Sequence, residues 1–139
     1  VCSPEFKRVN GDIALEEIAR YPLIHRVDDQ VCPGWESWFA FQGLEAPPYH
    51  HGPRFPDSSL AISLAVKGGG IALGRTALVY DQLKDGELVA LEAPLMMSPA
   101  AYYIICRNGR QSKPDIARLL DWLKAQAHQF MGEVQRSGK

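Results

Sequence analysis

The sequence is poor in the features that mark several classes of protein. Its three cysteines, Cys2, Cys32 and Cys106, are odd in number and show no CxxC spacing, which argues against a disulfide framework or a zinc site. With 15 lysines and arginines against 16 aspartates and glutamates, it lacks the basic surplus typical of nucleic-acid binding. It also lacks the ~18-residue apolar run of a membrane span and the pattern of a signal peptide. We therefore expect a cytoplasmic protein that contacts neither membrane nor DNA through this chain, and no cofactor.

The chain has the size and composition of one globular domain: 139 residues, of which 46% are hydrophobic and 22% charged. Because it begins at Val1 and not at a methionine, we expect a fragment of a longer protein. Its most informative segment is 55–74, where an extended stretch leads to Asp57, an apolar helix follows, and Gly68-Gly69-Gly70 ends that helix before a second apolar run. This order predicts an α/β unit whose helix begins beside a ligand site.

Other segments alternate in the same way. We predict strands at 23–25, 52–55, 71–73, 88–91 and 102–106, and helices after Asp12, at 35–41, at 76–83 and from Pro114 to Met131. Residues 1–4 are interpreted as a strand end entering a turn. Strands that alternate with helices favour a mainly parallel sheet covered on both faces.

The residues alone leave the candidate site open between two interpretations. Asp57, Ser58 and Ser59 start a helix whose unpaired N–H groups would suit a carboxylate ligand, but they equally fit a plain cap and first turn. Tyr102 combines a ring and a hydroxyl that suit a mixed ligand, or belongs to the core. By strand periodicity, Tyr102 and Tyr103 should not both line one pocket.

Four other sets of residues are weaker candidates for a functional site. An aromatic set, Trp35, Trp38 and Phe39, at helical spacing favours core over ligand stacking. His50-His51 has no supporting acid or cysteine, so a rim position is favoured over catalysis or metal binding. The three glycines at 68–70 follow a helix, whereas a phosphate loop precedes one, so we interpret them as a helix stop and a tight entry to the sheet. Lys67 and Arg75 are expected to be solvated, although Arg75 could reach an anionic ligand.

The order of eight motifs resembles the effector-binding domain of LysR-type transcriptional regulators, and most of all the branch with the glycine-cleavage activator and the β-lactamase regulators. The motifs are VCSP (1–4), YPLI (21–24), WESWF (35–39), FPDSS (55–59), GGGIAL (68–73), LKDGELV (83–89), YYII (102–105) and WL (122–123). They cover nearly the whole chain. No single motif is decisive, and the case depends on their order and spacing.

The resemblance implies an α/β fold like that of type 2 periplasmic binding proteins, in which two lobes hold a small molecule between them. It implies that residues 1–100 form lobe two, that 101–131 form a crossover strand and the C-terminal helix of lobe one, and that 132–139 are frayed. In that branch the position matching Ser59 contributes to effector binding, and Tyr102 matches a residue that faces the cleft. The expected ligand-binding residues are therefore Asp57, Ser58, Ser59 and Tyr102.

The resemblance also implies partners: a small-molecule effector with an anionic group, further copies of the chain, and RNA polymerase in the full-length protein. DNA would be bound only through an N-terminal helix-turn-helix domain that this chain lacks. The branch senses purines, glycine-related metabolites and muropeptides, and nothing in the sequence selects among them.

Two alternatives belong to other classes. A solute-binding protein of a transporter shares the fold, and a sequence upstream of Val1 with a secretory leader would favour it. A hydrolase using His50 or His51 would lose turnover when both are replaced. We expect no enzymatic activity, because no nucleophile elbow, Ser/His/Asp set or acid pair is present.

Overall fold

The computed structural model describes residues 1–27, 33–47, 52–99 and 101–137. The protein divides into two compact units, Val1–Ala100 and Ala101–Lys139. In the described residues of the first unit, the order is α1 (Pro4–Asn10), a 3-10 helix (Leu15–Arg20), β1 (Leu23–Arg26), α2 (Trp35–Phe41), β2 (Arg54–Phe55), α3 (Ser58–Val66), β3 (Ile71–Ala72) and α4 (Thr76–Lys84). The second unit contains α5 (Pro114–Ser137).

The three strands form one parallel sheet in the order β2-β1-β3. Leu23 of β1 pairs with Ile71, and His25 pairs with Arg54 on the other side. The first residue of the protein lies beside the sheet, since the Val1 and Ala72 backbones exchange two hydrogen bonds of 2.9 Å. The mainly parallel arrangement predicted from the sequence is confirmed.

Both faces of this sheet are covered, because successive side chains of a strand point to opposite sides. On one side, Leu23 and Ile71 pack into a buried cluster with the aromatic residues of α2. On the other, Ile24 and Ala72 pack against Ala61, Ile62 and Ala65 of α3, and against Val79 and Leu88. The first unit therefore has two apolar layers separated by the sheet.

The entry into β3 requires a glycine. Gly70 has φ 139°, a backbone conformation that residues with a side chain rarely adopt. A Cβ atom there would lie 2.3 Å from the Pro22 carbonyl oxygen, which accepts a 2.9 Å hydrogen bond from Ile71 N–H. The interpretation of the glycine run as a helix stop and a tight entry to the sheet is confirmed.

The structure corrects several predictions at the start of the sequence and after α4. The strand end predicted at 1–4 extends only to Cys2, which bridges Val89, and the turn expected at Pro4 is instead the start of α1. The helix begins there because the Ser3 hydroxyl accepts from Phe6 N–H and Pro4 suits the first helical turn. Asp12 does not cap the next helix, which is of the 3-10 type and begins at Leu15 after Ala14. Of the strand predicted at 88–91, only a bridge between Val89 and Cys2 forms.

The second unit also differs from its prediction. Residues 101–107 are not a strand, and Tyr102 and Ile105 are 75% and 93% exposed. No described strand pairs with this segment, so its backbone has no ladder to join. The predicted helix is confirmed as α5, which continues to Ser137, so the tail expected to fray from residue 132 is helical to that point.

No helix in the described part of the sequence is long and apolar enough to cross a membrane.

Candidate ligand-binding site

The carboxyl edge of the sheet gathers the predicted site residues of the first unit. Because β2, β1 and β3 are parallel, their carboxyl ends lie at one edge. The Val27 N–H donates to the Phe55 carbonyl oxygen at 2.7 Å, which ties the ends of β1 and β2 together. Helix α3 begins just after β2, and α4 begins just after β3 at Thr76. Two helix N-termini therefore start at the edge where α/β sheets usually hold ligands.

Asp57 organises the start of α3. Its Oδ1 accepts a 2.6 Å hydrogen bond from Ser59 N–H and a 3.4 Å hydrogen bond from Leu60 N–H. The Asp57 backbone is extended at φ −131° and ψ 140°, as a residue that precedes a helix should be. Asp57 and Ser59 are exposed and Ser58 is half-buried. The structure thus brings Asp57, Ser58 and Ser59 together as an accessible, capped helix start.

The charge of Asp57 changes what this helix start can bind. Hydrogen bonds from the Ser59 backbone and then from its side chain lower the pKa of Asp57, so the carboxylate is ionised at neutral pH. It already compensates the partial positive charge of the helix end. An anionic ligand here would compete with Asp57 for Ser59 N–H and Leu60 N–H, whereas a ligand with neutral acceptors and donors could use the serine hydroxyls without displacing it.

We expect Asp57→Ala to lower the melting temperature at neutral pH, because α3 loses its cap. Since the folded pKa of Asp57 is below its ordinary value of 3.8, the stabilisation is complete above that pH and is lost as the pH falls through the folded value. Melting temperatures of wild type and variant should therefore converge in acid. Ser63→Ala, on an exposed position of the same helix, is the control and should melt like wild type. A gap that stays constant into acid would contradict the ionised cap.

Tyr102 belongs to the second unit. Within that unit it lines a cavity of about 410 Å³ together with Tyr103 and with Leu123 and Met131 of α5. The expectation that Tyr102 and Tyr103 do not both line the ligand pocket stays a prediction, but the strand on which it was based does not form, because 101–107 is irregular. Another cavity, of about 340 Å³, lies at the amino ends of β1 and β2 and contains none of the predicted site residues.

The remaining candidate residues are the aromatic set of α2 and the histidine pair at 50–51. Trp35, Trp38 and Phe39 are buried against one another, with ring centroids 5.2–5.8 Å apart, and Trp35 Nε1 donates to the Ile24 carbonyl oxygen at 3.0 Å. Their interpretation as core is confirmed. His50 and His51 lie outside the described residues. Among the residues that are described, no group of three or more His, Cys, Asp or Glu side chains could hold a metal ion.

Comparison with known proteins decides the family. Residues 1–128 match the LysR substrate binding domain. The protein belongs to this family. This LysR substrate-binding domain also matches longer relatives whose names describe regulators. The family match confirms the resemblance found in the motifs.

Three curated relatives give the range of similarity. The Glycine cleavage system transcriptional activator of Escherichia coli (strain K12) is 27% identical over 130 residues, 91% of this chain and 41% of the relative. The HTH-type transcriptional regulator DsdC of the same strain is 31% identical over 91% of this chain and 42% of its own length. The AhcY transcriptional activator HvrB of Rhodobacter capsulatus is 32% identical over 91% and 41%. The LysR substrate-binding domain described here thus spans about two fifths of the curated relatives it matches.

A solved structure confirms the predicted α/β, periplasmic-binding-protein-like fold. The AmpR effector binding domain from Citrobacter freundii superposes with a TM-score of 0.66 at 22% identity, covering 92% of this chain and 62% of that one. A second structure of the Citrobacter freundii effector binding domain has a TM-score of 0.60 at 20% identity. It carries three substitutions: a threonine to valine, a serine to alanine and a tyrosine to phenylalanine.

Proposed function

We propose that this chain is the larger part of the effector-sensing domain of a LysR-type transcriptional regulator, and that it acts by binding a small molecule rather than by catalysis. The observation that carries the proposal is the family match over residues 1–128, together with α3 starting at the carboxyl edge of a parallel sheet. In this proposal Val1–Ala100 is lobe two, and 101–131 is the return segment of lobe one. The protein would work in the cytoplasm, where its DNA is.

The proposed mechanism is a shift between lobe arrangements. A ligand that binds one arrangement more tightly shifts the equilibrium towards that arrangement. The size of the shift is limited by the difference between the ligand's affinities for the two arrangements. In the full-length oligomer this shift would alter how the DNA-binding domains and RNA polymerase meet the promoter. The present chain would take part through self-association and would contact DNA only by way of a helix-turn-helix domain elsewhere in the protein.

The proposed ligand-binding residues are Asp57, Ser58 and Ser59 on one lobe and Tyr102 on the other. Two observations support them. Asp57, Ser58 and Ser59 are accessible at a helix start on the ligand-binding edge. The serine and the tyrosine substituted in the second Citrobacter freundii structure are separated in sequence by the same interval as Ser59 and Tyr102.

The effector that we propose is a small molecule with an acidic group. The Asp57 carboxylate limits how such a group could bind at the start of α3. This carboxylate already accepts from Ser59 N–H and Leu60 N–H. An acidic effector would therefore need a further cation or would have to displace Asp57. Arg75, a half-buried residue just before α4 at the same sheet edge, is the cation that we propose for this role. A neutral, hydroxyl-rich effector would use Ser58 and Ser59 alone.

A thermal-shift screen on a protein that contains both lobes tests the function. The panel consists of amino acids, purines and muropeptides, and a ligand that binds only the folded state raises the melting temperature. Ser59→Ala and Tyr102→Phe should each weaken a hit roughly tenfold, because each removes one hydroxyl hydrogen bond of about 1–1.5 kcal/mol. Ser63→Ala, further along α3, and Tyr103→Phe are matched controls. Unchanged ligand affinity in both site variants would refute the proposed site. If no ligand found in the screen changes the DNA binding of the full-length protein, the sensing function is refuted.

A further inference from the structure

The sequence contains two asparagines, Asn10 and Asn108, and a glycine follows each of them. We propose that Asn108 is a site of spontaneous deamidation in the folded protein and that Asn10 is protected from the same reaction. The two pairs have the same chemistry and differ in structure, so the inference depends on the surroundings of each.

The reaction is intramolecular and needs only water. The backbone nitrogen of Gly109 attacks Cγ of the Asn108 amide group, a new C–N bond forms, and the bond from Cγ to Nδ2 breaks. The amide nitrogen leaves as ammonia with the proton that Gly109 N–H gives up. Water then hydrolyses one of the two imide C–N bonds, which yields aspartate or isoaspartate. No atom is oxidised or reduced, and the step requires that Cγ can rotate into contact with the following nitrogen.

The structure leaves Asn108 free to make that contact. Asn108 and Gly109 are the middle residues of an exposed turn closed by a 3.0 Å hydrogen bond from Arg110 N–H to the Arg107 carbonyl oxygen. Gly109 has φ 76°, and open space surrounds the position that a Cβ atom would occupy. Within the described part of the sequence, the Asn108 amide makes no hydrogen bond. The attacking and attacked groups are therefore both accessible.

The structure holds Asn10 in place. Asn10 is the last residue of α1, and its Nδ2 donates a 2.8 Å hydrogen bond to the Phe6 carbonyl oxygen. Gly11 has φ 75° and equally open surroundings, so the glycine does not distinguish the two pairs. What distinguishes them is the helical backbone and the hydrogen bond at Asn10, both of which must be given up before Cγ can reach the Gly11 nitrogen.

The product would change the charge of a basic loop. Arg107, Arg110 and Lys113 lie on either side of Asn108 without an acidic residue among them. Deamidation places a carboxylate between these cations, and the isoaspartate form also lengthens the backbone of the turn that leads into α5. Over time, deamidation at Asn108 would therefore change both the charge and the backbone of this turn.

Peptide mapping over time tests the proposal. The folded protein is held in mildly alkaline buffer, and samples are digested with chymotrypsin, for which cleavage after Phe6, Leu15, Tyr103 and Leu119 isolates each asparagine in its own peptide. Deamidation adds about 1 Da. We expect Asn108 to convert about tenfold faster than Asn10, since the latter must first lose its hydrogen bond. In urea the two rates should become similar.

Asn108→Gln is the control, because its longer side chain disfavours the small imide ring and should abolish the mass gain in that peptide while leaving the Asn10 peptide unchanged. Equal or faster conversion of Asn10 in the folded protein would overturn the proposal. So would an Asn108 that stays intact in the folded protein while it converts in urea.

Discussion

Phe39→Ala is expected to lower the free energy of unfolding by about 3–5 kcal/mol. Phe39 is 1% exposed and contacts both tryptophans of α2, with ring centroids 5.2 Å from Trp38 and 5.8 Å from Trp35. Truncation leaves a cavity that the aromatic neighbours cannot fill. The destabilisation is therefore the sum of the lost hydrophobic burial and the lost packing contacts. Because a domain is stable by only about 5–15 kcal/mol, urea denaturation should show a large fall in the midpoint.

Phe41→Ala is the matched control. Phe41 lies on the same helix but is 51% exposed, so its loss should change stability by about 1 kcal/mol or less. If the two variants unfold at similar urea concentrations, the α2 aromatic cluster is not the core of its layer. A Phe39→Leu variant that recovers most of the loss would confirm that volume is what the position requires.

Gly70→Ala is expected to destabilise the protein by about 2–6 kcal/mol, since backbone strain contributes about 1–3 and overpacking about 1–3. The new Cβ would lie 2.3 Å from the Pro22 carbonyl oxygen. That oxygen cannot move away without breaking its hydrogen bond to Ile71 N–H, which joins β3 to the residue before β1. Thermal unfolding and soluble yield measure the loss.

Gly86→Ala separates the two causes. Gly86 also has a positive φ, 74°, but nothing would contact a Cβ there. Gly86→Ala should therefore lower the stability only through backbone strain, by about 1–2 kcal/mol. A Gly70→Ala protein no less stable than Gly86→Ala would show that β1 and β3 can separate slightly at little cost.

Local signals in the sequence predict local structure well. Asp57 before an apolar run, Gly43 after the α2 aromatics and Pro114 before a long amphipathic stretch each mark a helix boundary through hydrogen bonds made within a few residues. A comparable signal lies at Ser3-Pro4-Glu5, which is a good start for a helix, and it explains α1. Predictions that depend on neighbours within a turn are the reliable ones.

Non-local structure is harder to predict. The apolar run 102–106 has strong strand propensity, yet a strand forms only where another strand supplies hydrogen-bond partners, and the described residues supply none. The same reason reduces 88–91 to a bridge with Cys2. At the candidate site, the sequence predicted the cap by Asp57 but could not show that its carboxylate takes up Ser59 N–H and Leu60 N–H.

The alternation of β1 between two apolar layers limits how this domain can evolve. Leu23 faces the layer that holds α2, and Ile24 faces the layer that holds α3. Inserting or deleting one residue inside the strand would exchange these partners throughout the rest of β1, so that both layers would be mismatched at once. We therefore expect substitutions that keep positions 23 and 24 apolar to be tolerated better than a change in the length of β1.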